Sequence, residues 1–156
     1  MRAIVHNHSP SVIPFGVSTV PLKPLYHMSA FLGEGVPVFD IRGAGGMTDM
    51  LVRSPALGQA LAQTLGTRPV ALMRGHGAVV VGTSLPLAVF RSVYTEMNAR
   101  LQGQATALGG PIIYLDPEEA ARAETTLAGT IDRPWELWKR RARAKSGGGV
   151  VKDRAR

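Results

Sequence analysis

The sequence contains no cysteine, which excludes disulfides and thiolate metal ligands and agrees with a reducing, cytoplasmic location. It has no apolar stretch approaching the length of a membrane span, and no signal-peptide pattern precedes its first apolar run, so a soluble protein without a membrane partner is expected. Internal repeats and recognised nucleic-acid modules are also missing. What remains is 156 residues, 45% of them hydrophobic, enough for one domain with a real core.

The net charge of +7 is concentrated rather than spread. Residues 139–156 carry eight Lys and Arg against one acid, Asp153, while residues 1–138 carry ten of each sign. The body is therefore neutral. We expect a domain over residues 1–141 and a basic, glycine-containing, disordered tail over 142–156, solvated rather than bound to nucleic acid.

Three histidines stand out: His6 and His8 at the end of an apolar run, and His76 inside Arg74-Gly75-His76-Gly77. Ala3-Ile4-Val5 is apolar and partly β-branched, so it reads as a buried strand, and the two-residue period puts His6 and His8 on one face, about 6–7 Å apart. Residues 69–74 and 78–82 read as two strands, and the glycines beside His76 allow a tight turn and close backbone approach. One histidine at a strand end is usually structural. A same-face pair with a glycine-flanked third favours a divalent-metal site, with zinc the first expectation and manganese, iron or cobalt as alternatives.

Along the chain, Ser9-Pro10 starts a short helix over 11–15, residues 25–32 form another, and 36–41 form a strand. Gly43-Ala44-Gly45-Gly46 reads as a flexible loop, lacking the context of a phosphate-binding fingerprint. Ser54-Pro55 caps a helix through Leu57, Leu61 and Leu65, ended by Gly66. A long helix spans 85–108; its apolar stripe of Val89, Val93, Met97, Leu101, Ala105 and Leu108 reads as core or subunit interface. Residues 112–115 are expected as a strand, Asp116 caps the next helix, and the last helix carries Trp135 and Trp138 as packing residues. Alternating strands and helices imply an α/β layered domain.

The segment Val5-His6-Asn7-His8-Ser9-Pro10, with Met73-Arg74-Gly75-His76-Gly77 farther on, resembles the class II aldolase/adducin family, which includes fuculose-phosphate aldolase and ribulose-phosphate epimerase. Residues 21–40, from Pro21-Leu22-Lys23-Pro24-Leu25-Tyr26-His27-Met28 to Phe39-Asp40, and the ending Asp132-Arg133-Pro134-Trp135-Glu136-Leu137-Trp138 are similar to a branch assigned to decarboxylation of 2-hydroxy-3-carboxymuconic semialdehyde. The resemblance implies a three-layer class II aldolase-like domain whose mixed, largely antiparallel sheet lies between helix layers. It also implies a homo-oligomer, a tetramer with sites between subunits.

Family members carry further chain before the His-x-His strand, including an anion-binding loop and an acidic residue, whereas Met1 lies five residues before His6. The expectation is a domain lacking its N-terminal portion, with weak or no activity on its own.

A substrate with a carboxylate or hydroxyl beside a carbonyl can chelate a divalent ion through two oxygens, and the ion then stabilises charge as a carbon–carbon bond breaks. Loss of carbon dioxide makes the enzyme a decarboxylase; loss of an aldehyde makes it an aldolase. Tyr26 and His27 are candidate proton donors, and the resemblance implies a tyrosine at about this place that can project into a neighbouring subunit's site; packing at an interface explains Tyr26 as well, and a packed helix or loop explains His27 as well. Arg74 can pair with a substrate carboxylate through its planar fork, or lie in solvent as a strand-end charge. The readings are a metal-dependent decarboxylase of a hydroxy-carboxymuconic acid, an aldehyde-lyase or epimerase on a sugar phosphate, and a non-catalytic, adducin-like interaction domain.

Overall fold

The computed structural model describes residues 1–147. Four strands, β1 (Ala3–Asn7), β2 (Val38–Phe39), β3 (Val70–Met73) and β4 (Gly77–Gly82), form one open sheet in the order β1-β4-β3-β2. β1 and β3 both run antiparallel to β4, while β2 runs parallel to β3, so the sheet is mixed and largely antiparallel as expected.

Position in the sheet explains the sequence pattern. β3 and β4 lie inside the sheet and are buried along their whole lengths, hence the unbroken runs Val70-Ala71-Leu72-Met73 and Ala78-Val79-Val80-Val81. β1, expected to be buried, is instead an edge strand with a partner on one side only, and it alternates between half-buried and exposed, Ile4 and His6 sharing its exposed side.

Helices cover both faces. On one, Val70, Leu72, Ala78 and Val80 pack with Val12, Phe15, Leu22, Phe31, Leu32, Phe90 and Ala99. These come from α1 (Ile13–Gly16), a 3₁₀ helix (His27–Leu32), α4 (Leu85–Leu108) and the connecting segments. On the other, Ala71, Met73, Val79 and Val81 pack with Phe39, Ile41 and Leu65, flanked by Leu57 and Leu61 of α3 (Pro55–Leu65). The result is three layers. Ser54 caps α3 by accepting from the Leu57 N–H, and Gly66, at φ +59°, closes it, both at the expected positions. α5 (Pro117–Leu127) opens on a capping box between Asp116 and Glu119.

Several expectations are corrected. The 36–41 strand shrinks to Val38–Phe39, and the glycine-rich loop is a single exposed turn of helix, α2 (Arg42–Gly45). Residues 112–115 join no ladder: the Leu115 N–H donates to the Pro24 carbonyl at 3.0 Å, and Pro24, lacking an N–H, has nothing to return.

The stripe from Val89 to Ala105 is only half-buried and Leu108 is exposed, whereas the deepest face of α4 includes Thr95, Asn98, Ala99 and Gln102. The reason is the backbone of residues 21–25, which runs along α4 without strand partners. Asn98 accepts from the Leu25 N–H and donates to the Lys23 carbonyl, while Gln102 accepts from the Lys23 N–H and donates to the Pro21 carbonyl. Two amides one helical turn apart thus act as a strand edge, meeting backbone needs that burial would leave unsatisfied.

α6 (Asp132–Gly147) carries Trp138, which packs in the core near Tyr94, and Trp135, which lies under the Lys139 ammonium. The boundary expected after Arg141 falls inside this helix; the tail from 148 onward lies outside the described residues. Among the described residues, no helix is long and apolar enough to cross a membrane.

Candidate metal centre

β1 and the β3–β4 turn build the site. Ladder pairing places His6 opposite Val79 and Asn7 opposite Ala78, so His8 emerges just past the last paired residue, two along the same face. Residues 74–76 make a tight turn in which the His76 N–H donates to the Met73 carbonyl at 3.0 Å and Gly75 takes φ +65°. Gly77 is required for a different reason: a Cβ there would lie 2.0 Å from the Asn7 carbonyl oxygen. The end of β1 crosses directly over it, which brings His8 to His76.

The three imidazoles converge. Their ring centroids lie 4.8–4.9 Å apart, one potential ligand nitrogen from each falls within 4.8 Å of the others, and the Nε2 atoms of His6 and His8 are 3.1 Å apart. Two nitrogens bound to one zinc at the usual length would be roughly 2.9–3.4 Å apart for angles between 90° and tetrahedral, so that separation suits a shared ion.

The tautomers agree. His6 Nδ1 lies 3.0 Å from the Ala78 carbonyl and His76 Nδ1 lies 3.0 Å from the Met50 carbonyl, so each Nδ1–H donates and each Nε2 lone pair is left free. Met50 is the one non-glycine residue among those described with positive φ, +65°, and this unusual conformation accompanies its carbonyl's contact with His76. Burial, reinforced by His76 and His8 and opposed by the Ala78 hydrogen bond, holds the His6 pKa below its ordinary 6.5. That favours the neutral form needed for coordination.

The triad opens into a cleft of about 470 Å³ lined also by Leu51, Val52, Leu61, Met73 and Val79. Apolar walls with a few converging polar groups are the usual build of a small-molecule site.

The other candidates sit elsewhere. Arg74 does not line the cleft; it forms an ion pair with Asp40, its Nε 2.9 Å from Asp40 Oδ1. Arg42 also clasps Asp40, and this hydrogen bonding, with help from Arg74, holds the Asp40 carboxyl far below the usual range.

Tyr26 and His27 begin the 3₁₀ helix in the α4 layer, on the opposite side of the sheet from the cleft. His27 lines a separate groove of about 590 Å³ with Tyr94, Thr130, Arg133 and Arg140. The Tyr26 hydroxyl is buried without a hydrogen-bond partner among the described residues, and burial, with Tyr94 nearby, pushes its pKa up to about 12. One chain therefore brings His6, His8 and His76 together and leaves Tyr26, His27 and Arg74 apart from them.

Sequence reasoning missed the supporting groups. The Met50 and Ala78 carbonyls carry no side-chain signature. Glu96 of α4 carried a faint one, a lone acid interrupting the apolar stripe; it receives hydrogen bonds from Ser9 and Ser11, directly after His8.

Fold and site together define a three-layer α/β domain with a histidine triad of metal-ligating geometry at the end of its edge strand. The chain belongs to the class II aldolase family: residues 1–103 match the Class II Aldolase and Adducin N-terminal domain. It is 38% identical to decarboxylase tropJ of Talaromyces stipitatus, over 90% of this chain and 60% of that protein. It is 31% identical to 3,4-dihydroxyphthalate decarboxylase of Rhodococcus jostii, over 74% of this chain and 47% of that one. The chain thus spans about half to three-fifths of the length of these relatives.

Among solved structures, an aldolase II superfamily protein from Pseudomonas syringae superposes with a TM-score of 0.67 at 20% identity, covering 88% of this chain and 54% of that one. L-fuculose 1-phosphate aldolase from Glaciozyma antarctica superposes with a TM-score of 0.60 at 23% identity, covering 80% and 43%. These two likenesses show the fold.

Proposed function

We propose that this chain forms the metal-binding part of a lyase that removes a carboxylate from an acid bearing a hydroxyl or carbonyl on the neighbouring carbon. The observation that carries the reading is the triad itself: three converging imidazoles, two with Nδ1 occupied by a carbonyl, at the mouth of an apolar cleft. The decarboxylase names of the relatives support the direction of the chemistry. A hydroxy-carboxymuconic semialdehyde and an ortho-hydroxylated aromatic acid both fit that class, since each can ketonise to place its carboxylate β to a carbonyl.

A divalent ion held by His6, His8 and His76, zinc first, would supply a Lewis acid for two substrate oxygens and a sink for the charge left when carbon dioxide departs. Leu51, Val52, Leu61, Met73 and Val79 hold the carbon skeleton and thin the water around it. The proton that replaces the lost carboxylate on carbon must come from a group still protonated at neutral pH. Tyr26, with its raised pKa, meets that requirement, and His27 lies beside it. Because both lie across the sheet from their own triad, the reading includes a homo-oligomer, a tetramer, in which a neighbouring copy presents them. Arg74, tied to Asp40, ranks below them as a substrate-carboxylate partner.

Metal content of the purified chain, compared with His6→Ala and His76→Ala, tests the centre; equal content in all three would overturn it. Assays with 3,4-dihydroxyphthalate, a carboxymuconic semialdehyde and a sugar phosphate, reading carbon dioxide and aldehyde separately, test the reaction. Weak carbon dioxide release is expected from a chain that spans about half to three-fifths of the length of its relatives. Aldehyde alone would make the protein an aldolase, and metal binding without either product would leave the interaction-domain reading.

A further inference from the structure

We propose that Glu96 is a positioning residue for the histidine triad, acting through the turn after His8. The inference rests on reading the triad as a metal centre. His6 and His76 each have a backbone carbonyl that fixes the ring through Nδ1, at Ala78 and Met50. His8 has none among the described residues; the one polar atom close to its ring is the His6 Nε2, 3.1 Å from its own Nε2. Its orientation therefore depends on the backbone that carries it, and that backbone is leaving the sheet, since ladder pairing ends at Asn7.

Glu96 holds this point from α4. Its Oε2 accepts from the Ser9 hydroxyl and from the Ser11 N–H at 3.2 Å, and its Oε1 accepts from the Ser11 hydroxyl at 2.5 Å. The Ser9 N–H, in turn, donates to Asn7 Oδ1 at 3.3 Å. Three donors on one half-buried carboxylate make charge-assisted hydrogen bonds, stronger than those a neutral side chain would form. Glu96 does not line the cleft, so it touches neither substrate nor ion; what it fixes is the path of residues 9–11 and with it the direction in which His8 projects. Outer groups that orient metal-ligating histidines typically matter by 10–100-fold in metal affinity.

The experiment titrates the full chain with zinc against a competing chelator and records the visible ligand-field spectrum with cobalt(II), for the unsubstituted chain, Glu96→Ala, Glu96→Gln, Ser9→Ala and Asp116→Ala. The last removes the α5 cap and serves as the control for general destabilisation. Glu96→Ala is expected to weaken zinc binding about 10–100-fold and shift the cobalt spectrum. Glu96→Gln, which keeps one acceptor oxygen, should recover part of both, Ser9→Ala should fall between, and Asp116→Ala should change neither. Zinc affinity within about threefold of the unsubstituted chain in Glu96→Gln and Ser9→Ala, or an equal loss in Asp116→Ala, would overturn the inference, even if Glu96→Ala does not fold. Binding by the unsubstituted chain with no effect of these variants removes the positioning role alone; no binding by the unsubstituted chain removes the metal centre and this role together.

Discussion

The sheet face covered by α3 and the face covered by α4 are equally apolar at the strands, yet they hold their candidate functional residues by different means. On the α3 face, backbone geometry does most of the work: a two-residue strand period aligns His6 with His8, a tight turn raises His76, and carbonyls of Ala78 and Met50 fix two rings. On the α4 face, the segment leading to Tyr26 and His27 is held by Asn98 and Gln102, more than seventy residues away in sequence. The first kind of order is local in its cause and the second is not. Substitutions should therefore separate the two faces.

The largest separation is expected from Gly77→Ala. Its Cβ would sit 2.0 Å from the Asn7 carbonyl oxygen, against backbone that cannot swing aside as a side-chain tip can. β1 must then move away from β4 just where His8 leaves the sheet. We expect a loss of about 3 kcal/mol or more, at or beyond the upper end for overpacking, together with a collapse of metal affinity. Denaturant unfolding and metal titration read the two effects. Retained affinity in a destabilised Gly77→Ala chain would show that the triad does not need the crossing.

The same contrast explains what the sequence made legible. Strand period, glycine spacing and an apolar run are written in neighbouring residues, so the triad and the strand pair around it were readable, as were the Ser54 and Asp116 caps. The polar inner face of α4 was not. Periodicity finds apolar stripes, and here the deepest positions include Thr95, Asn98 and Gln102 because an unpaired stretch of backbone needs partners there. For the same reason residues 112–115, apolar and strand-like, joined no ladder: the chain facing them offers a proline. The surroundings of Arg74 were hidden for another reason, since its pairing with Asp40 depends on β2 lying beside β3.

Asn98→Ala should act on the α4 face alone. It strands the Leu25 N–H and the Lys23 carbonyl, and it removes one of two acceptors within reach of the Ser29 hydroxyl, leaving that proton the Tyr26 carbonyl. Leaving such groups unsatisfied costs about 1–3 kcal/mol each in isolation, and water entering the space would recover part, so a net loss of about 2 kcal/mol is expected. Metal affinity should stay within about twofold of the unsubstituted chain, well short of an outer-sphere effect. A parallel loss of both would mean that the faces are coupled through the sheet, and the contrast would fail.

The smallest effects concern pH, and here the two faces have opposite signs. His6, with its pKa lowered by burial and by the neighbouring imidazoles, binds its proton less readily folded than unfolded. Its contribution to metal-free stability is complete above 6.5 and is lost as pH falls from there through the lower folded value, because in that window the unfolded state holds more protons. Tyr26 works the other way. With its pKa raised from 10 to about 12, it keeps its proton longer when folded, so its contribution is complete below 10 and is lost as pH rises toward 12. Denaturant unfolding of metal-free protein across pH should show an acid-side decline that His6→Asn flattens and an alkaline decline that Tyr26→Phe flattens. Since the Tyr26 hydroxyl has no partner to lose among the described residues, Tyr26→Phe should be neutral or slightly stabilising at pH 7. A clear loss there instead would mean that the phenol is satisfied in the assembled protein, as it would be if a neighbouring copy receives it.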